Sequence, residues 1–389
     1  MNKEIKKEIK SYIEKYKTDL ENLNKYLYEN PEKSYEEFKS YDYICNFLES
    51  HEFTIKKEFL DLKTSFYAYK GDSHPKVCFL CEYDAIPHEG HLTGHNLLTT
   101  TSIAAAISLG SVIDKLGGSV VIIGCPGEYL GGTKSIMVKQ GVFEEIDIVL
   151  LAHPDIVTSE SASSSAIIPM NIKFMGNSGL SFLNKDGYTS LDATLLTFNI
   201  LNSLLKGFPK DVEVNSILSK GGYTPLLVPS ECEAKIYIRS KEMDMARVVE
   251  NKIREVVIYT SKLTQIQNII SLYEPENEEL ITNRSLNRLF SHNLKENGII
   301  HILGPKDVNS GLSLGIVSKT VPTIHPYFSI IDDENISYGS KDFSKRTISS
   351  FAFNQAIKAA LALAFTGYDI IYNENLLSEV KNEFYKNKL

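Results

Sequence analysis

The hydrophobic pattern at the start of the chain has a helical period. Ile5, Ile9 and Ile13 recur every four residues among lysines and glutamates, which predicts an amphipathic surface helix over residues 1–17. The helical spacing continues to about residue 53 with one proline-containing break. A second helix is predicted after that break, over residues 35–48.

Short continuous apolar runs follow and alternate with helical spacing. Each run ends at a polar residue or at a Gly/Pro turn, as is typical of strands that are buried on both faces. The predicted strands cover residues 77–80, 120–124 and 146–151, and a helix is predicted over residues 98–116 between the first two. This alternation predicts an α/β domain with a mixed sheet.

A run of small residues at 161–166 marks a predicted crossing into another domain. Beyond it the pattern is strand, helix, strand, strand, helix, over residues 167–174, 190–205, 214–219, 232–239 and 245–262. This order predicts a ferredoxin-like insert with an antiparallel sheet. The chain then returns to the first domain and closes with an apolar helix over residues 351–365. The predicted domains are 1–163 and 276–389, which together form one α/β domain, and the insert at 164–275.

Composition and charge narrow the classes of partner. The 389 residues are 43% hydrophobic and 23% charged, which is ordinary for a globular protein, and the formal net charge is −8. A negative chain with interspersed Lys and Glu argues against nucleic-acid and anionic-membrane partners, and no apolar run reaches transmembrane length. The five cysteines are an odd number scattered along the chain, which predicts reduced thiols and a cytoplasmic location.

Polar side chains follow the predicted strands at the points where the strands end. Asp84, Glu128 and His153 each lie just past one of the apolar runs. Because ligand groups collect at the carboxyl ends of strands in layered α/β domains, we expect these side chains to share a site. His325 follows another apolar run and is interpreted as structural.

Two further patterns are not assigned a function. Residues 311–315 match the GxSxG nucleophile elbow around Ser313, but the residues before them predict a loop instead of the required strand, which disfavours serine hydrolysis. Residues 131–135 include Lys134 but lack the adjacent Gly and Lys of a phosphate loop. That match is interpreted as chance.

Several short motifs occur in an order that resembles the peptidase M20 amidohydrolases, in the subfamily with aminoacylase-like and aminobenzoyl-glutamate-hydrolase-like enzymes. Any one motif is weak, but their order and spacing together are specific. They are Asn-Pro-Glu-Lys-Ser-Tyr-Glu-Glu at 30–37, Glu-Tyr-Asp-Ala-Ile-Pro at 82–87, Gly-His-Leu-Thr-Gly-His-Asn at 90–96, Gly-Cys-Pro-Gly-Glu at 124–128 and Ala-His-Pro at 152–154. In the predicted insert, the similar positions are Ser-Leu-Asp-Ala at 190–193, Gly-Gly at 221–222, Val-Pro at 228–229 and Arg239.

The resemblance implies a fold, a reaction and a set of site residues. The implied fold is an M20 zinc-peptidase-like mixed-sheet catalytic domain with an inserted ferredoxin-like dimerisation domain, which predicts a homodimer. The implied reaction is hydrolysis of the amide bond of an N-acyl amino acid or small peptide by a water that bridges two metals. By resemblance, His95 and His153 are metal ligands, Glu128 is the general base and Asp84 orients a ligand.

The chain departs from the family at three positions that hold metal and at one position of a late motif. Thr93 stands where the family has a metal-bridging Cys, and Tyr129 stands where a second Glu is a ligand. Ser313 replaces an Asp of a late motif, and Gly339 takes the place of the last metal-binding His. Since neutral hydroxyls are weak ligands, we expect at most one divalent ion per subunit, zinc or another, with a metal-free protein as the alternative.

The substrate pocket also differs from the family pattern. Leu180 stands in the place of the oxyanion His, and Leu226 in the place of an Asn, whereas Arg239 is retained. We expect Leu180, Leu226 and Arg239 to bind substrate, in a pocket that is less polar than the family's because two aliphatic groups replace hydrogen-bonding side chains.

Two functions therefore remain open. The retained His95, His153 and Glu128 have the His₂Glu composition of hydrolytic zinc sites, which favours an amide hydrolase with a remodelled centre. In the family the two histidines face different metals, so this set needs a shift of geometry. The coincident loss of ligands favours instead a non-catalytic relative that binds an acylated or peptidyl ligand or serves in an assembly.

Overall fold

The computed structural model describes residues 2–183, 187–332 and 335–387, and secondary structure covers most of these ranges. The helices are α1 Asn2–Lys15, α2 Lys17–Glu29, α3 Phe38–Ser50, α4 His95–Gly110, α5 Ile113–Leu116, α6 Lys134–Lys139, α7 Ser190–Leu204, α8 Met243–Thr264, α9 Arg284–Glu296, α10 Leu314–Ser318, α11 Lys341–Arg346, α12 Ser350–Tyr372 and α13 Glu374–Lys386. The strands are β1 Thr54–Lys57, β2 Phe66–Gly71, β3 Lys76–Cys81, β4 Ser119–Gly124, β5 Ile148–Leu150, β6 His153–Asp155, β7 Ala166–Met175, β8 Gly179–Leu180, β9 Glu213–Lys220, β10 Leu227–Val228, β11 Glu231–Ser240, β12 Gln267–Leu272, β13 Thr323–Ile324 and β14 Tyr327–Ser329.

The chain folds as two compact units. Unit 1 comprises Met1–Ser163, Leu280–Val308 and Ile316–Leu389, and unit 2 comprises Ser164–Glu279 and Asn309–Gly315. The sequence-predicted insert at 164–275 lacks the second stretch of unit 2. That stretch packs within unit 2 because Gly315 allows a close approach: a Cβ at this position would lie 1.9 Å from the backbone oxygen of Glu278.

A six-stranded mixed sheet lies at the centre of unit 1, in the order β1-β2-β4-β3-β5-β13. Strands β1, β2 and β4 pair antiparallel, whereas β4, β3, β5 and β13 run parallel. Nearly every residue of β3, β4 and β5 is buried, as the continuous apolar runs predict. The predicted mixed-sheet α/β class is confirmed.

Helix α4 is buried along its whole length and packs against β3, β4 and α12. Two of the buried hydroxyl groups bond back to the helix, at Thr100 and Thr101: Thr100 Oγ1 donates to the Asn96 carbonyl at 2.8 Å, and Thr101 Oγ1 to the Leu97 carbonyl at 2.7 Å. The sequence predicts one helix over 98–116, whereas α4 begins at His95 and a break separates it from α5. The earlier start places His95 in the first turn.

Unit 2 contains a four-stranded antiparallel sheet in the order β12-β7-β11-β9. Helices α7 and α8 pack on this sheet and share its apolar core. Chain order β7-α7-β9-β11-α8-β12 with this sheet order is the ferredoxin-like arrangement, which β12 completes beyond the five elements that the sequence predicts. A separate two-stranded ladder joins β8 and β10.

Among the helices in the described ranges, none is both long and apolar enough to cross a membrane.

Candidate metal centre

The parallel strands of unit 1 deliver ionisable residues to one edge of the sheet. Glu82 and Asp84 follow β3, Glu128 follows β4, His153 follows β5, and His325 follows β13. Because these strands are parallel, their carboxyl ends meet at the same edge. The fold thereby collects residues that are far apart in the sequence.

Glu82, His95 and His153 form a buried group that could hold a metal ion. One ligand atom from each residue lies within 4.8 Å of the other two. His95 Nε2 is 3.7 Å from Glu82 Oε2, and the centroids of the two imidazole rings are 6.2 Å apart. Two imidazoles and one carboxylate are the protein ligands of many catalytic zinc sites.

A hydrogen bond at Nδ1 orients each imidazole. His95 Nδ1 is 2.9 Å from Asp84 Oδ1, and His153 Nδ1 is 2.8 Å from the Pro154 carbonyl oxygen. A metal-binding histidine commonly donates its other N–H to a carboxylate or a backbone carbonyl, which fixes the tautomer and leaves Nε2 for the metal. The predicted orienting role of Asp84 requires this contact with His95.

Lys134 is fully buried beside two of the carboxylates. Its Nζ donates to Glu82 Oε1 and to Glu128 Oε2, both at 2.7 Å. Burial alone would lower the pKa of Lys134, but the Glu128 and Glu82 carboxylates outweigh burial and raise it. Burial alone would likewise raise the pKa of Glu82, but Lys134 and then His95 outweigh it and lower the pKa to about 2. Lys134 and Glu82 are therefore both charged at neutral pH.

The ligand set in the structure differs from the one that the sequence predicts. Glu128 is the carboxylate of the predicted His₂Glu set, whereas the structure places Glu82 with the two histidines and pairs Glu128 with Lys134. The shift of geometry expected for a set with Glu128 is not needed for Glu82. Lys134, interpreted from the sequence as part of a chance match, is in the site. No sequence signal singles it out, because a lysine six residues after Glu128 in a Gly-rich stretch carries no mark of burial.

Thr93 and Tyr129 are hydrogen-bonded to each other through their hydroxyls. The Tyr129 ring stacks on the His95 imidazole with centroids 4.5 Å apart, and its backbone N–H donates to Asp84 Oδ2 at 2.9 Å. Burial raises the pKa of the Tyr129 phenol, so this hydroxyl is neutral. Two neutral hydroxyls that already bond each other are poor substitutes for a thiolate and a carboxylate as metal ligands.

Aromatic side chains surround His153. The ring centroids of His325, Tyr327 and Tyr338 lie 5.4, 6.1 and 6.2 Å from the His153 centroid. His325 Nδ1 has no hydrogen-bond partner among the described residues, and burial, with a smaller effect of His153, lowers the pKa of His325 to about 3. His325, interpreted from the sequence as structural, is a neutral imidazole at the border of the site.

Gly339 and Ser313 are the other two positions that depart from the family pattern. Gly339 adopts a φ of +74°, and a Cβ at this position would meet no atom within 4 Å. Ser313 is buried and belongs to the second stretch of unit 2.

The expected substrate-binding residues all lie in unit 2. Leu180 is on β8, and the Leu226 carbonyl oxygen accepts a hydrogen bond from the N–H of Ser181 at 2.9 Å, so the two leucines are neighbours. Their side chains are exposed. Arg239 lies on β11 of the other sheet, where its Nη1 donates to Glu213 Oε2 at 3.2 Å.

Known proteins resemble this chain in sequence and in fold. No family model matches the chain. It is 28% identical over 381 residues to the Xaa-Arg dipeptidase of Mus musculus, covering 93% of this chain and 88% of that protein. It is 29% identical over 261 residues to one of the subunits of the p-aminobenzoyl-glutamate hydrolase of Escherichia coli (strain K12), covering 61% of this chain and 54% of that protein.

The fold has a solved counterpart in a dinuclear metal binding peptidase from the M20 family of Bacillus subtilis. The two folds agree with a TM-score of 0.64 at 17% identity, over 90% of this chain and 98% of that one. The fold of this chain thus resembles that of an M20 peptidase. In sequence and in fold this chain is M20-like, and the resemblance is confirmed.

Proposed function

We propose that this chain hydrolyses the amide bond of an N-acyl amino acid or small peptide with one divalent metal ion in place of two. The observation that carries the proposal is the buried group of Glu82, His95 and His153. In catalytic zinc sites, three such ligands leave a coordination position for water or substrate. The names of two relatives, a dipeptidase and an aminobenzoyl-glutamate hydrolase, support an amide substrate.

Glu128 is the proposed proton acceptor. It follows β4, its side chain is 13% exposed, and its Oε2 accepts a hydrogen bond from Lys134. A bound divalent ion would polarise the amide carbonyl and lower the pKa of its water. In this proposal the Glu128 carboxylate takes the proton of the attacking water and passes it to the leaving nitrogen, while Asp84 holds the His95 ring in position.

The substrate contacts and the homodimer belong to the same proposal. Leu180 and Leu226 are exposed neighbours in unit 2, and we assign them to the apolar part of the substrate, with Arg239 as the cationic group of the pocket. We assign the homodimer to unit 2 because its edge strand β9 is exposed along most of its length and carries Ile217, which is 60% exposed.

A non-catalytic, ligand-binding role is the second candidate, and one observation favours it. The Lys134 ammonium bonds both Glu82 and Glu128, so each carboxylate already has a cationic partner. A carboxylate paired with a cation is a weaker base, and a site balanced in this way is stable without a divalent ion.

Metal analysis and hydrolysis assays separate the two roles. Protein purified from zinc-supplemented medium is expected to hold about one ion per chain and to cleave members of a panel of dipeptides and acyl amino acids. Glu128→Gln should lower kcat by about 10²–10⁴-fold with the metal retained, whereas His153→Ala should lose the metal. The exposed Glu29→Gln serves as the control. A folded wild-type protein that holds no metal and cleaves nothing would leave the ligand-binding role.

A further inference from the structure

The buried position of Lys134 is unfavourable in two ways. Its side chain has no exposure to solvent, and an ammonium loses its hydration when buried. It is also the first residue of α6, where the helix dipole opposes a positive charge. The compensating interactions are the two carboxylates at 2.7 Å, so the lysine is placed by Glu82 and Glu128 and not by its helix.

The two carboxylate oxygens of Glu82 face different partners, the Lys134 ammonium and the His95 imidazole. Oε1 accepts from Lys134 Nζ at 2.7 Å, and Oε2 faces His95 Nε2 at 3.7 Å. In two-metal hydrolytic sites the cations lie about 3.5–4 Å apart and act together on the substrate. A carboxylate with one oxygen on each of two cations is a natural bridge between them. Here the second cation is an amino group of the chain itself.

We infer that the Lys134 ammonium takes the place of one metal ion, so that the centre is a metal–ammonium pair bridged by Glu82. The inference rests on the single-metal centre proposed above and adds what occupies the other cation position. The neutral Thr93–Tyr129 pair agrees with it, because a monovalent cation needs fewer anionic partners than a divalent ion. Lys134 then fixes the capacity of the site at one divalent ion.

Lys134→Met tests this directly, since it keeps the length of the side chain and removes the charge. Lys139→Met is the matched control, because Lys139 is exposed at the other end of α6. The measurements are zinc per chain by elemental analysis after equilibrium dialysis, and Tm in chelator and in zinc. The wild type and Lys139→Met should hold about one zinc, and Lys134→Met about two, because the two carboxylates have then lost the ammonium between them and attract a second ion.

The thermal measurement is independent of activity. In chelator, Lys134→Met should melt lower than the wild type by about 5 °C or more, because one partner of a buried ion pair has been removed. Zinc should restore most of this loss, since a ligand that binds only the folded state stabilises it. The double variant Lys134→Met, Glu128→Gln should return to about one zinc per chain and recover part of the Tm, because one of the two carboxylates is neutralised.

The inference is overturned if Lys134→Met holds the same zinc as the wild type and zinc raises its Tm no further. If this variant is insoluble in ordinary medium, zinc-supplemented medium should yield soluble protein, and insolubility in both media also overturns the inference. If the wild type binds no zinc but Lys134→Met does, the ammonium still occupies a position that a metal ion can take. The same result would contradict the proposal that the wild type is a single-metal hydrolase.

Discussion

Both carboxylate oxygens of Asp84 have hydrogen-bond partners at this site. It has no exposure to solvent, its Oδ1 faces His95 Nδ1, and its Oδ2 accepts from Ser34 Oγ at 2.6 Å and from the Tyr129 N–H. Burial alone would raise the pKa of Asp84, but the hydrogen bond and charge of His95 outweigh it, and the pKa is lowered. Asp84 therefore stays anionic and holds the imidazole with Nε2 toward Glu82.

Asp84→Asn should weaken zinc binding by about 10–100-fold, because an amide keeps the shape of the carboxylate but loses its charge and basicity toward His95. Competition with a chromophoric chelator measures the dissociation constant. Ser34→Ala is the control, since it removes only one bond to the other oxygen. Equal losses in the two variants would contradict the orienting role of Asp84.

Motif order predicts four of the polar site residues, and the strand ends explain why they meet. His95, His153, Glu128 and Asp84 each stand in a short motif next to a strand end or helix start. Lys134 could not be predicted, because nothing in the local sequence shows that a lysine is buried. Its carboxylate partners lie 52 and 6 residues away, and only the sheet brings the more distant one close.

At the scale of the element, the turn before α4 fixes where that helix begins. Gly94 adopts a φ of +85° immediately before His95, and a Cβ at this position would lie 2.8 Å from Pro154 Cγ. Pro154 follows His153 on β6. The absence of a side chain at Gly94 thus lets the start of α4 approach β6, and it sets the separation of the two histidines.

Gly94→Ala is expected to destabilise the protein more than Gly90→Ala. Both positions have positive φ, so each substitution costs about 1–2 kcal/mol of backbone conformation. A Cβ at Gly90 meets nothing within 4 Å, whereas Gly94→Ala adds an overlap worth about 1–3 kcal/mol more. Urea unfolding followed by circular dichroism measures the difference. Equal losses in the two variants would show that the approach to Pro154 is not tight.

Asp147 ties the C-terminal helix to the start of a central strand. Its carboxylate accepts from the Lys76 N–H at 2.7 Å and pairs with His74 and with Lys381 of α13. Burial alone would raise the pKa of Asp147, but Lys381 and His74 outweigh it, and the pKa is lowered. The resulting stabilisation is complete above the unfolded pKa of about 3.9 and is lost as the pH falls through the lower folded value.

Asp147→Asn should therefore lower the Tm by about 2–4 °C at pH 6, and this difference should shrink as the pH approaches 3. The Tm of both proteins is measured at half-unit steps of pH. Asp72→Asn, on an exposed turn, is the control and should follow the wild type. A constant gap between Asp147→Asn and the wild type down to pH 3 would exclude the ionised carboxylate as the cause.

At the scale of the whole molecule, the periodicity of the sequence predicts the mixed α/β class and many of the elements. The helical period, the continuous runs and the strand-helix order of the insert correspond to elements of the two units, because burial on one face or on both leaves a regular pattern. The second stretch of unit 2 has no such pattern. It is held by close approaches at Gly311 and Gly315, which depend on residues far along the chain.

Self-association through unit 2 is expected to depend on its edge strand β9. Ile217→Lys on β9 should weaken self-association by about tenfold or more, because a charge on an exposed edge strand opposes pairing with another chain. Ile269→Lys on β12, the opposite edge of the same sheet, is the matched control, since Ile269 is also exposed. Sedimentation equilibrium measures both. A monomeric wild type, or equal effects of the two variants, would contradict an interface on β9.

The two-stretch construction of unit 2 has a consequence for protein engineering. A graft that transplants residues 164–279 alone into another scaffold would omit Asn309–Gly315, whose Gly311 lies against Ile167 and Asn277. The transplanted piece would then expose the surface that this stretch covers. A working chimera has to carry both stretches, joined by a new linker or by circular permutation.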